Sequence, residues 1–173
     1  MAEIAKSAVP NAYTFANLRC GVISLLVTFQ GNYKLSAIFI ILACVADRYD
    51  GRVARYLNVS SELGKELDSL ADLVSFGVAP SILIFNIYNF SNLGILGYLL
   101  VLLFPIAGAY RLARFNTTQF DGAFFGIPIT FAGMFMAIFA FVTSSHPINI
   151  GITVILTVVL SYLMVCRHRF KKF

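Results

Sequence analysis

The sequence predicts an all-α integral membrane protein, a bundle of six transmembrane helices with both termini on the cytoplasmic side. Hydrophobic residues make up 59% of the 173 residues and charged residues only 12%, against about 25% charged in a soluble domain. The apolar runs recur at a spacing that suits helices of roughly 17–25 residues, the length that crosses a bilayer. The cations are divided unevenly between the ends of those runs. Lys6, Arg19, Arg48, Arg52, Arg55, Lys65, Arg111, Arg114, Arg167, Arg169, Lys171 and Lys172 fall on one side, and Lys34 alone falls on the other. Positive residues stay cytoplasmic, so the termini, the 2–3 loop and the 4–5 loop are expected at that face of the cell membrane.

Taken in order, Pro10-Asn11 predicts a helix start, because Pro needs no amide partner in the first turn. The first span is expected at 13–30 and ends at Gly31-Asn32. The second covers 35–57 and carries Asp47 and Asp50 towards its end. A short turn at 58–62 follows, with Ser60 or Ser61 as a cap for the next helix. The third span, 63–88, begins with Asp68 and Asp72. After a loop at 89–92, the fourth span covers 93–115 and closes on Arg111-Leu-Ala-Arg114-Phe-Asn116. A polar stretch at 116–126, in which Asp121 reads as solvated, leads to a fifth span at 127–144. His146-Pro147 turns the chain into a sixth span at 149–166.

The whole of 1–173 reads as one membrane-embedded domain, with a short arm at 1–12 and a basic tail at 167–173. Residues 1–10 lack the apolar core of a cleavable signal peptide. The net charge of +5 suits anionic lipid headgroups at the cytoplasmic face. Nucleic acid is excluded as a partner, since the cations flank spans and form no domain of their own. Cys20, Cys44 and Cys166 lie far apart in apolar settings and read as small core residues.

Two Asp pairs stand out against this background. The chain reads Asp47-x2-Asp50-Gly51-x2-Ala54-Arg55-x8-Gly64-x3-Asp68-x3-Asp72. Carboxylates inside a membrane chain are costly, so function is the default explanation. At 100° per residue, Asp47, Asp50, Gly51, Ala54 and Arg55 share an arc of roughly 140° on one helix, and Gly64, Asp68, Asp72 and Ser75 an arc of roughly 80° on the next. Two antiparallel helices joined by a short loop can face these stripes together. Four carboxylates in one pocket repel unless divalent cations join them, and all-oxygen donors suit Mg²⁺ or Mn²⁺, two ions if some carboxylates bridge. Gly51, Ala54 and Gly64 serve either close helix packing or the approach of a bulky ligand to the backbone. Arg55 can pair with a diphosphate.

The stretch 47–72 resembles the full signature of the CDP-alcohol phosphotransferase family, with no position departing. Hydropathy and the short arm also resemble that family's six-helix core. Within the family, 66–80, Arg111–Asn116, and Pro10-Asn11 with Thr14 and Asn17-Leu18 look like the phosphatidylserine synthase branch. The resemblance implies transfer of a phosphatidyl group from a CDP-lipid to the hydroxyl of L-serine, with release of CMP. It implies that Asp47, Asp50, Asp68 and Asp72 hold metal and that Asp72 also acts as the base. Gly51, Ala54, Arg55 and Gly64 would line the CDP site. Thr14 and Asn17 would touch the nucleotide or form hydrogen bonds within the bundle. It also implies a homodimer.

Arg111 and Arg114, three apart on one helix face, are candidates for the serine carboxylate or a lipid phosphate, the other reading being an interfacial anchor. Two alternatives are weighed against serine transfer. The first keeps the chemistry with glycerol 3-phosphate or inositol phosphate as acceptor, whose dianion asks for more cationic groups. The second is a divalent-cation transporter, against which stands the lack of matching acids in spans 4–6.

Overall fold

The computed structural model describes residues 2–57, 62–117, 124–146, 148–166 and 169–170, with the backbone alone described at 2–11, 50–57, 124–125 and 169–170. Helix α1 covers Ala2–Phe29, α2 Tyr33–Leu57 and α3 Glu62–Asp72. A π-helical segment, Leu73–Val78, joins α3 to α4, Ala79–Ile87, so that 62–87 forms one unbroken helical rod. A 3₁₀ turn at Phe90–Leu93 precedes α5, Ile95–Thr117. Helices α6, Ile129–Thr143, and α7, Ile150–Val165, complete the bundle.

The rod 62–87 is the centre of the fold. It packs on α1, α2, α5 and α6, and its Phe76, Leu83 and Ile84 are buried. Large apolar side chains on α1, α5, α6 and α7 point outwards instead, among them Leu26, Leu99, Phe135 and Ile155. Among the described residues, Ala12–Phe29, Glu62–Ile87 and Ile95–Thr117 are long and apolar enough to cross a membrane. Helices α6 and α7 are apolar but have 15 and 16 residues, shorter than expected.

Backbone groups inside such a bundle need partners from the protein itself, and the prolines show how they find them. Pro80 has no amide for the carbonyl of Phe76, and the Ala79 N–H reaches back five residues to Val74, which winds the turn as π rather than α. Pro105 within α5 likewise deprives the Val101 carbonyl of its helical donor. The buried Ser81 hydroxyl supplies that bond across the helix interface at 2.6 Å. Between α1 and α2, Ser36 Oγ lies 2.8 Å from Ser24 Oγ and 2.7 Å from Thr28 Oγ1, a buried hydroxyl cluster that ties the pair together.

Several expectations need correction. Helix α1 does not start at Pro10 but runs from Ala2 through it, the carbonyl of Lys6 losing one amide partner without ending the helix. The third span is continuous as expected, 62–87, but its middle turn is wound as π, for the reason given by Pro80. The expected loop at 89–92 is largely the 3₁₀ turn, entered through Asn89 in the left-handed region, φ 47°. The basic tail is not without structure: Arg169–Phe170 pairs antiparallel with Phe124–Phe125. The predicted cap at Ser60 or Ser61, together with Asp121 and Pro147, lies outside the described residues.

Candidate active site

Three of the four predicted carboxylates meet where α2 faces α3. One oxygen from each of Asp47, Asp68 and Asp72 can be chosen so that all lie within 4.8 Å of one another. Asp72 is buried, 7% exposed, while Asp47 and Asp68 are half-buried. The helical spacing of four puts Asp68 and Asp72 one turn apart on the same face of α3, and Asp47 reaches them from the neighbouring helix. Helix α2 also carries Asp50, Gly51, Ala54 and Arg55, whose side chains lie outside the described residues. Gly64 is half-buried in the first turn of α3.

Three carboxylates this close carry strong mutual repulsion, and Asp72 feels both Asp47 and Asp68. A divalent cation fits such a donor set: hard oxygen ligands within a few ångströms of a common point suit Mg²⁺ or Mn²⁺. The guanidinium of Arg111 lies within electrostatic reach of Asp72. Arg111 is half-buried and its Nε atom is enclosed without a hydrogen-bond partner.

Arg114, also half-buried, is placed differently. Its Nη1 donates to the Val165 carbonyl at 3.1 Å, at the end of α7, and its guanidinium sits 5.7 Å from the Tyr110 ring centroid. Part of its donor capacity therefore joins α5 to α7.

The predicted nucleotide contacts on α1 are both buried, Thr14 at 3% and Asn17 at 0% exposed. Asn17 Nδ2 donates to Asp72 Oδ1 at 2.9 Å, and Ser75 Oγ donates to the Asn17 carbonyl at 3.0 Å. The α1 helix approaches closely here because of Gly21: a Cβ on it would lie 2.8 Å from Ser75 Cα. A stripe of polar and small residues, Thr14, Asn17, Gly21, Ser24 and Thr28, was the available signal, since its alternating spacing of three and four marks one enclosed helix face.

Sequence reasoning also missed Asn116 as a brace. Its Nδ2 donates to Ser69 Oγ at 2.9 Å and to Glu66 Oε1 at 3.1 Å, while Lys65 Nζ lies 5.8 Å from the Phe115 ring centroid. These contacts fasten the end of α5 to α3 beside the carboxylates. Asn116 closes the run that begins at Arg111, and that position was its only signal.

A family model described as CDP-alcohol phosphatidyltransferase matches residues 7–165. The chain is 39% identical over 166 residues to a CDP-diacylglycerol–serine O-phosphatidyltransferase of Bacillus subtilis, covering 95% of this chain and 90% of that one. It is 35% identical over 171 residues to the enzyme of the same name from Helicobacter pylori strain J99, covering 95% and 72%. A namesake from Methanocaldococcus jannaschii is 34% identical over 160 residues, covering 92% and 72%.

Proposed function

Because the chain belongs to the CDP-alcohol phosphatidyltransferase family, we propose that it is a phospholipid-synthesising transferase that moves the phosphatidyl group of CDP-diacylglycerol, or its ether-lipid equivalent, to L-serine. The observation that carries this is the convergence of Asp47, Asp68 and Asp72 within 4.8 Å beside Arg111, in a chain similar over nearly its whole length to serine transferases.

Asp47, Asp50, Asp68 and Asp72 hold the metal, and Asp72 is also the base. Mg²⁺ or Mn²⁺, two ions when all four carboxylates take part, would neutralise the diphosphate as CMP departs. Asp72 accepts the proton of the serine hydroxyl at a carboxylate oxygen, which calls for an approach of about 3 Å. The serine oxygen forms a bond to the lipid phosphorus as the bond from phosphorus to the CMP oxygen breaks. Arg111 binds the serine carboxylate through paired hydrogen bonds, with Arg114 as a second cation. Arg55 pairs with the diphosphate, and Gly51, Ala54, Gly64 and Thr14 line the CDP site.

Serine is preferred over glycerol 3-phosphate or inositol phosphate because a phosphate dianion asks for more free cationic donors. One Arg114 donor is already given to Val165. Family membership removes the ground for a transporter. The remaining architecture we read as six spans with both termini and the carboxylates at the cytoplasmic face of the cell membrane, in a homodimer whose lipid substrate enters from the bilayer.

The test is CMP release by purified protein given CDP-diacylglycerol, a divalent cation and one acceptor at a time. Release with serine alone supports the proposal; release only with glycerol 3-phosphate or inositol phosphate moves the activity to another branch.

A further inference from the structure

Asn17 is wholly enclosed, and its side-chain amide reaches the carboxylate cluster through Nδ2. Its Nδ2 donates to Asp72 Oδ1; the reversed amide would set oxygen against oxygen, so chemistry fixes the orientation. The Oδ1 atom is buried without a hydrogen-bond partner, an arrangement that packing alone would not favour. The backbone of the same residue is held by Ser75, three residues beyond Asp72, and Gly21 admits that close approach. Helix α1 is thus locked to the rod at two points, one at each end of the Asp72–Ser75 turn.

We propose that Asn17 is a positioning residue for Asp72: its amide holds one carboxylate oxygen, fixes the rotation of the group, and leaves the other oxygen for the cation shared with Asp47 and Asp68. The proposal rests on reading the cluster as the cation site of the transferase. Of the two roles expected for Asn17 from sequence, it takes the hydrogen bond within the bundle rather than the nucleotide contact. Ligating carboxylates held by an outer partner lose about 10–100-fold in metal affinity when that partner is removed.

The test measures Mn²⁺ affinity of the detergent-purified protein, with turnover recorded alongside. Asn17→Leu removes the donor while roughly keeping the bulk, Asn17→Gln keeps a donor, and Asn17→Ala repeats the first test should the leucine variant aggregate. The expected result is Mn²⁺ binding weakened about 10–100-fold in Asn17→Leu, a lower kcat, a KM for CDP-lipid changed by less than about 2-fold, and recovery in Asn17→Gln. In an Asp72→Ala background, Asn17→Leu should cause no further loss of Mn²⁺ affinity.

Additive losses, or unchanged Mn²⁺ affinity with a raised KM for CDP-lipid, overturn the proposal, the latter in favour of a nucleotide contact. The two possible failures are distinct. A wild-type protein that releases no CMP with serine contradicts the reaction, whereas uncoupled Mn²⁺ affinities contradict the role of Asn17.

Discussion

Asp72 and its two neighbours share a chemistry but not an environment. Asp72 is enclosed and bonded to Asn17, while Asp47 and Asp68 are half-buried. A base needs to be held in place, and the bond from Asn17 does that for Asp72. Asp72→Asn keeps the shape and removes the proton acceptor, so turnover should fall by at least about 100-fold, the scale of a lost general base. CDP-lipid binding should largely survive, as checked by equilibrium binding. Near-normal turnover would remove Asp72 from that role. Arg111 has an enclosed Nε without a hydrogen-bond partner, whereas an Arg114 donor is given to Val165. Arg111→Ala should raise the KM for serine about 10-fold or more, the scale of one charged hydrogen bond, with a smaller change in the KM for CDP-lipid. Steady-state kinetics with each substrate varied in turn decides this, and a change confined to the lipid would reassign the residue.

Among the elements, the rod 62–87 does most to shape the site, since it carries Asp68 and Asp72 and touches four other helices. Its junction with α5 depends on an exchange between Pro105 and Ser81. If Ser81 serves the carbonyl freed by Pro105, Ser81→Ala strands a buried acceptor and should destabilise the protein by about 1–3 kcal/mol. Thermal unfolding in detergent measures this. Adding Pro105→Ala restores an amide donor within α5 and should return much of the loss; equal stability of the single and double variants would show that the carbonyl is satisfied in another way. The helical segments themselves were legible because apolar runs and polar breaks set their approximate bounds. The π turn was not, although Pro80 stood in the sequence. A proline within an apolar run reads equally as a kink, a start or a π turn, and only the donors packed around it select among them.

At the scale of the molecule, the pairing of Asp47 with Asp68 and Asp72 was legible because two small spacings and one short connection leave little choice of facing surfaces. The contributions of Asn17 on α1 and Asn116 on α5 were not, since they depend on tertiary neighbours 55 and 47 residues away. The proposed topology puts His146 opposite the carboxylate side. With the three native cysteines replaced, a cysteine at Ser144 should react with an impermeant maleimide from outside intact cells, and one at Thr117 should react only after lysis. The reverse pattern would invert the bundle.

The most direct measurement supplies the purified protein with CDP-diacylglycerol and isotopically labelled L-serine and follows lipid and nucleotide together by mass spectrometry. Serine-derived label entering the lipid in a one-to-one ratio with CMP, with Mg²⁺ or Mn²⁺ present and not with chelator, is the result the proposed reaction predicts. CMP released while no serine enters the lipid would contradict it.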